Sequence, residues 1–116
     1  MARQLPQQEN ITEQLLNQLM EAAVTERASD IHIEPHGEYV LVRMRVDGIL
    51  KEITKFEFEF LEALASRLKV MAQLDITTRT TPQEGHFEWF TQALGKDNKQ
   101  QILDARLSTF PTIYGE

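Results

Sequence analysis

The chain is 116 residues long, 41% hydrophobic, and carries 18 acidic against 12 basic residues, for a formal net charge of -6. That length and apolar content suit one compact core. The acidic balance argues against a general binder of nucleic acid or anionic membranes. The absence of cysteine excludes disulfides, thiolate metal sites and cysteine nucleophiles, and it suits a reducing compartment, so we expect a cytoplasmic location.

The first predicted element is an amphipathic helix from Asn10 to about Arg27. Apolar residues recur there at helical spacing while polar residues fill the other face: Ile11, Leu15, Leu16, Leu19, Ala22 and Ala23. The Gln-rich residues 1–9 are expected to form a disordered lead-in. A single domain is therefore expected over residues 10–116.

The hydrophobic period then changes to two, which predicts strands in "DIHIEP", "YVLVRMRV" and "ILKEIT". Asp47 and Gly48 between the last two indicate a tight hairpin turn. Alternation places Arg43 and Arg45 on the polar face of the second strand. On the first strand the polar face carries Asp30, His32 and Glu34.

A second helix is predicted from about Glu57 to Gln73, although the phenylalanines and glutamates of "FEFEF" also alternate as in a strand. An irregular connection, "DITTRTTPQEG", leads to two more strands in "HFEWFTQAL" and "KQQILDARLSTF". In the last strand Leu103, Ala105 and Leu107 should face the core. The expected fold is α+β: a two-layer sandwich of one mostly antiparallel sheet with two helices on one face.

Alternate polar residues on "DIHIEP", followed by His36, raise the question of a metal site, because imidazole and carboxylate groups are common metal ligands. A metal site needs three or four converging ligands, which one strand rarely supplies. We therefore interpret Asp30, His32 and Glu34 as polar residues of a solvated or partner-facing strand, and we predict no metal.

The motifs of nucleotide-phosphate loops and common hydrolases are missing. The sequence contains no GxxxxGK[ST], GxGxxG, HExxH or GxSxG. The chain alone is not expected to be an enzyme.

Five sequence blocks, in this order and spacing, resemble the secretion ATPases of type II secretion and type IV pilus assembly: "ASDIHIEP", "VRMRVDGILKEI", "SRLKVMAQLDI", "TPQEGHF" and "ARLSTFPTIYGE". The resemblance covers about Asn10 to Glu116 and is to the second N-terminal domain of that family, which implies a PAS-like fold. In the family a Walker A loop follows within a few dozen residues. The resemblance implies a non-catalytic regulatory domain excised from a larger ATPase.

The resemblance also implies the partners and cofactors of the parent protein. It implies a homo-hexamer that uses ATP and Mg, with no cofactor in the fragment itself. This domain would pack on the C-terminal ATPase domains of its own and the neighbouring subunit, and would couple hydrolysis to motion. The assembly would be cytoplasmic and peripheral to the inner membrane, against platform components of the secretion or pilus system.

Arginines of the family domain reach the nucleotide phosphates, as an arginine finger does. Carried over by motif, this role falls on Arg106 in "ARLST" and on Arg45 before "VDG", with Arg43 two residues earlier. His86 stands where many members have an arginine after "PQDG", and its shorter, titratable ring suits that role less. Arg79 is a further, weaker candidate.

Other interpretations remain open at this point. Arg45 could pair with Asp104 or Glu34, and Arg106 with neighbours of Asp104, to stabilise an exposed sheet face. The chain could also be a PAS-like sensor of a small ligand or metal, or a standalone adaptor that acts on an intact ATPase. A P-loop encoded downstream would favour the excised domain over the adaptor.

Overall fold

A computed structural model describes residues 7–77, 80–94 and 100–110. The predicted order of a helix, three strands, a helix and two strands is confirmed. In chain order the elements are α1 (Gln7–Glu26), β1 (Asp30–Pro35), β2 (Tyr39–Val46), β3 (Ile49–Glu57), a 3-10 turn (Phe58–Phe60), α2 (Leu61–Met71), β4 (Gln83–Leu94) and β5 (Gln100–Thr109).

The strands pair antiparallel, and the α+β class is confirmed, but they form two sheets instead of the single sheet expected. One sheet has the order β1-β2-β3, and the other pairs β4 with β5. The sheets separate because β4 lies against the helices: Gly85 of β4 is in close contact with Ala72 at the end of α2, and Thr91 of β4 is hydrogen-bonded to Glu21 of α1.

Two helix boundaries differ from the prediction. Helix α1 begins at Gln7, so Asn10 lies inside it, and residues 1–6 of the predicted lead-in are outside the described residues. Helix α2 begins four residues after Glu57, because β3 continues to Glu57 and a 3-10 turn follows. Of the five residues in "FEFEF", only the first two, Phe56 and Glu57, therefore lie in a strand.

Both helices end in a left-handed residue that is not glycine. Arg27 has φ 56° and Gln73 has φ 59°. After α2, Leu74 N donates to Lys69 O at 2.7 Å and Gln73 N donates to Val70 O at 3.1 Å, the paired bonds of a Schellman motif. These bonds satisfy carbonyls at the helix end, at the cost of an unfavourable backbone conformation.

The tight turn predicted between β2 and β3 is confirmed. Asp47 and Gly48 both have positive φ, 52° and 79°, and Val46 pairs with Ile49 across them. Positive φ at both central residues is the conformation of a type I′ hairpin turn.

Both helices and both sheets contribute to one core. The buried face of β2 is central to it, with Val40, Val42 and Met44 each 0% exposed. Phe87 brings β4 into the same cluster, and the predicted inward residues of β5 lie half-buried, with Ala105 and Leu107 packed against it. The cluster consists of Leu16, Leu19, Met20, Val42, Leu64, Leu68, Ala72 and Phe87.

One charged residue lies where the helical pattern did not place it. Lys69 falls off the apolar stripe of α2, yet it is 1% exposed. A lysine stem of four methylenes can pack along apolar surface, so spacing alone underestimates its burial. Within the described residues, neither helix is long and apolar enough to cross a membrane.

Candidate functional site

Arg43 and Arg45 lie on the outer face of the three-stranded sheet, opposite the buried face of β2. Their side chains are 36% and 41% exposed. In the β1–β2 register Arg45 is opposite Asp30 and Arg43 is opposite His32. The predicted placement of both arginines on one polar face is confirmed.

Arg43 is tightly held by a carboxylate. Its Nε and Nη2 donate to the same oxygen, Glu34 Oε1, at 3.1 and 2.5 Å. The other oxygen, Glu34 Oε2, lies 3.4 Å from His36 Nε2. Glu34 is opposite Leu41 in the register, so it reaches Arg43 diagonally along the sheet. Arg43 therefore already has an anionic partner.

The same contacts change the acidity of Glu34. Partial burial opposes its ionisation, but hydrogen bonds from Arg43 and His36, together with the charges of Arg43 and His32, outweigh burial and lower the pKa of this carboxyl below its ordinary value of 4.5. Glu34 is therefore a carboxylate at neutral pH.

Arg45 is held more loosely. Its Nε lies 3.7 Å from Asp30 Oδ2, beyond hydrogen-bond distance, and its Nη1 donates to Gly48 O at 3.2 Å. The alternative in which Arg45 pairs with Asp104 or Glu34 is not found, because Asp104 lies in the other sheet and Glu34 binds Arg43. Arg45 has the more available guanidinium group of the two.

The polar row that suggested a metal site is part of this arrangement. Asp30 and Glu34 face the arginines, and the His36 ring stacks on Tyr39 with centroids 5.5 Å apart. Over the ranges 7–77, 80–94 and 100–110, no three histidine, aspartate or glutamate residues are grouped so that they could hold a metal ion.

Arg106 lies on the second sheet, directly opposite His86 in the β4–β5 register. Both side chains are exposed. The pairing joins the blocks "PQEGH" and "ARLST", which are about twenty positions apart in the sequence. The alternative in which Arg106 pairs with neighbours of Asp104 is not found: within the described part of the chain Arg106 has no carboxylate partner.

Two residues position the beginning of β4, and sequence reasoning missed both. The Gln83 side chain accepts from Asp75 N and donates to Asp75 O, each at 2.9 Å, much as a strand neighbour would. An ideal Cβ on Gly85 would lie 2.8 Å from Ala72 O, so only glycine fits there without a shift. The sequence "QEG" directly before His86 contains both residues and was the signal that could have identified them.

Glu21 of α1 fixes the later part of β4. Thr91 Oγ1 donates to Glu21 Oε2 at 2.8 Å, and Trp89 Nε1 donates to Glu21 Oε1 at 3.4 Å. Thr91 is 0% exposed and Glu21 is partly buried, so the donor end of this link is shielded from solvent. Strand β4, which carries His86, is thus held against both helices. This packing restrains the backbone that carries the exposed pair of His86 and Arg106.

The candidate arginines therefore form two sets. Arg43 and Arg45 lie on the first sheet, and Arg106 lies with His86 on the second. Among the described residues no hydrogen bond or ion pair joins one set to the other. Arg79 lies outside the described residues.

Comparison with known proteins agrees with the sequence blocks. The chain is 42% identical over 102 residues to type II secretion system protein E of Pectobacterium carotovorum, covering 88% of this chain and 19% of that protein. It is 39% identical over 102 residues to the type IV pilus assembly ATPase PilB of Myxococcus xanthus, covering 88% of this chain and 17% of that protein. The protein E of Aeromonas hydrophila is 35% identical over 124 aligned positions, covering 100% of this chain and 23% of the relative.

The chain thus spans about a fifth of the length of the curated relatives it matches. The family model for type II/IV secretion system proteins matches residues 6–116. That range contains both sheets, both helices and every candidate arginine. The chain belongs to the type II/IV secretion system protein family.

Proposed function

We propose that residues 10–116 form a non-catalytic N-terminal regulatory domain of a longer secretion or pilus-assembly ATPase. In this proposal the domain supplies arginines to a nucleotide held by the ATPase domain and couples hydrolysis to movement of the ring. The PilB relative is by name an ATPase, which supports a parent protein of that activity.

The surroundings of Arg106 are the observation that carries the proposal. The Arg106 side chain is exposed on a strand pair that packs against both helices, and it has no carboxylate partner within the described residues. A guanidinium group on a rigid base presents N–H donors in a fixed fork, which suits phosphate oxygens. Such a charge stabilises a transferring phosphoryl group when an interface closes on it.

The donor chemistry of the chain fits the phosphates of ATP. Arg106, Arg45 and Arg43 would contact them, and His86 opposite Arg106 would contribute when protonated. ATP and Mg²⁺ would be held chiefly by the C-terminal ATPase domains of the same and the neighbouring subunit. When bound, ATP supplies the phosphoryl group that is transferred to water, and these side chains orient and stabilise it.

The proposed setting is a homo-hexameric ring in the cytoplasm, peripheral to the inner membrane and in contact with platform components of the secretion or pilus system. The family match and the names of the relatives support the secretion or pilus-assembly part of this setting. The exposed polar faces of both sheets provide surfaces for the neighbouring domains.

A chimera tests the role of Arg106. This chain would replace the matching segment of the Myxococcus xanthus PilB, and ATP turnover would be measured for Arg106→Ala. We expect turnover to fall by roughly ten- to a thousandfold, since removing one transition-state charge commonly has effects of that order. Arg106→Lys keeps the charge and loses the fork, and should give an intermediate rate.

Arg67→Ala is the matched control. Arg67 is also an exposed arginine, but it lies on α2 and pairs with Glu13 at 3.1 Å. Turnover close to that of the unsubstituted chimera is expected for it. Equal rates for Arg106→Ala and Arg67→Ala would remove Arg106 from the nucleotide site and contradict the proposed function.

A further inference from the structure

On the outer face of the three-stranded sheet, Arg43 and Arg45 each lie near a carboxylate of β1. Glu34 accepts two N–H bonds from Arg43, whereas Asp30 lies 3.7 Å from Arg45 Nε. Carboxylate and phosphate oxygens compete for the same donors of a guanidinium group. A phosphate group can therefore reach Arg43 fully only after Glu34 has moved away.

We propose that Glu34, and more weakly Asp30, act as internal substitutes for phosphate, so that Arg43 and Arg45 exchange a carboxylate of β1 for a nucleotide phosphate. This inference rests on the proposed function, because it concerns the regulation of the same arginines. It explains why Arg106 is unpaired in the described structure while Arg43 is not: Arg106 meets phosphate directly, and Arg43 does so by exchange.

The geometry makes the exchange unequal. Glu34 Oε1 accepts both the Nε and the Nη2 donors of Arg43, and its other oxygen contacts His36 Nε2. Asp30 makes one longer contact, and Arg45 Nη1 is bound to a backbone carbonyl that does not carry a full charge. Arg45 should therefore bind phosphate at a lower phosphate concentration than Arg43 does. The Glu34–Arg43 ion pair should set the concentration at which Arg43 exchanges its carboxylate for phosphate.

A second carboxylate flanks Arg43 without replacing Glu34. Glu52 of β3 is opposite Arg43 in the β2–β3 register, but its carboxylate lies 3.6 Å from Lys55 Nζ. Removing the charge of Glu34 consequently leaves Arg43 without an ion pair to any described residue of its sheet. Glu34→Gln therefore removes the carboxylate partner of Arg43 without another carboxylate taking its place, so it tests the exchange at Arg43 alone.

The test titrates inorganic tripolyphosphate into the 116-residue chain at low ionic strength, with the arginine Nε–Hε resonances followed by NMR and assigned with Arg43→Lys and Arg45→Lys. Half-exposed ion pairs contribute up to about 1 kcal/mol, so Glu34→Gln should tighten binding about two- to fivefold. The Arg43 resonance should then shift at lower tripolyphosphate concentration. Asp30→Asn should give a smaller gain.

Glu13→Gln is the charge-matched control, because it frees Arg67 between the helices and leaves the Glu34–Arg43 ion pair intact. The tripolyphosphate concentration at which the Arg43 resonance shifts should be the same in Glu13→Gln as in the wild-type chain. The double variant Glu34→Gln/Arg43→Gln should lose the gain in affinity, since the gain requires a freed Arg43. Equal lowering of the concentration for the Arg43 shift by Glu34→Gln and Glu13→Gln, or binding by neither wild type nor Glu34→Gln, would overturn the inference.

The outcome is separable from that of the proposed function. If Glu34→Gln tightens binding through Arg43 while Arg106→Ala leaves turnover of the chimera unchanged, the exchange stands and the nucleotide role of Arg106 fails. If Arg106→Ala abolishes turnover while Glu34→Gln has no effect on tripolyphosphate binding, the exchange fails and the proposed function stands.

Discussion

Gly85→Ala should destabilise the chain by wedging β4 away from the end of α2. The added Cβ would lie 2.8 Å from the backbone oxygen of Ala72, 3.0 Å from Leu74 Cδ2 and 3.1 Å from Ala72 Cβ. Contacts this short force a shift, and the Ala72 oxygen cannot swing aside as a side chain can. Overpacking of this kind costs about 1–3 kcal/mol.

Urea unfolding followed by circular dichroism measures this loss. With a denaturant slope of about 1–3 kcal/mol/M, the midpoint should fall by roughly 1 M. Leu74→Ala in the same chain should not rescue Gly85→Ala, because the closest contact is to backbone and remains. Rescue would show that the Leu74 side chain, and not the Ala72 carbonyl, limits the space.

Gly48→Asn is the control for a glycine in open space. Nothing lies within 4 Å of an ideal Cβ on Gly48, and asparagine tolerates its left-handed backbone better than other residues do. Stability within about 0.5 kcal/mol of wild type is expected for it. A similarly small effect of Gly85→Ala would refute the argument that β4 and α2 approach too closely for a side chain.

Three further predictions concern stability. Gln73→Gly should stabilise the chain by about 0.5–1 kcal/mol in thermal unfolding, because glycine relieves the left-handed φ of 59° at the end of α2; a loss of stability would contradict the helix-end geometry. Thr91→Val should cost about 1.5–3 kcal/mol in urea, because it removes the buried donor to Glu21 Oε2, whereas Thr54→Val at an exposed position should cost under about 0.5; equal effects would contradict the role of the Glu21 link. Since Arg43 and His36 lower the native pKa of Glu34, its charge stabilises the fold above the ordinary value of 4.5, and that contribution is lost as pH falls through the lowered pKa. The stability advantage of wild type over Glu34→Gln should therefore shrink in acid, and a difference independent of pH would contradict it.

The strands were predictable from sequence because residue alternation and turn residues are patterns of neighbouring positions in the chain. Strict alternation in "YVLVRMRV" identified the buried face of β2, and Asp47-Gly48 specified the turn that sets its register with β3. Alternation in "KQQILDARLSTF" likewise places Arg106 on the face opposite Leu103, Ala105 and Leu107, and Arg106 is exposed. The beginning of α2 was not predictable, because "FEFEF" satisfies a strand pattern up to the residue at which the chain turns.

The division into two sheets and the partners of the arginines depend on non-local contacts. Nothing in the sequence of β4 shows that its neighbours are α1 and α2 and that no strand of the first sheet pairs with it. Glu34 reaches Arg43 by a diagonal contact, nine positions apart, while the directly opposite residue is His32. Strand alternation gives the face of a side chain but not which neighbour on that face it binds.

The central claim is that Arg106 of this domain contacts the nucleotide of the ATPase. A structure of the PilB chimera bound to Mg²⁺ and a slowly hydrolysed ATP analogue tests it most directly. The account predicts that a guanidinium N–H of Arg106 lies within hydrogen-bond distance of a phosphate oxygen. Ordered phosphates with the guanidinium group of Arg106 facing solvent would contradict it.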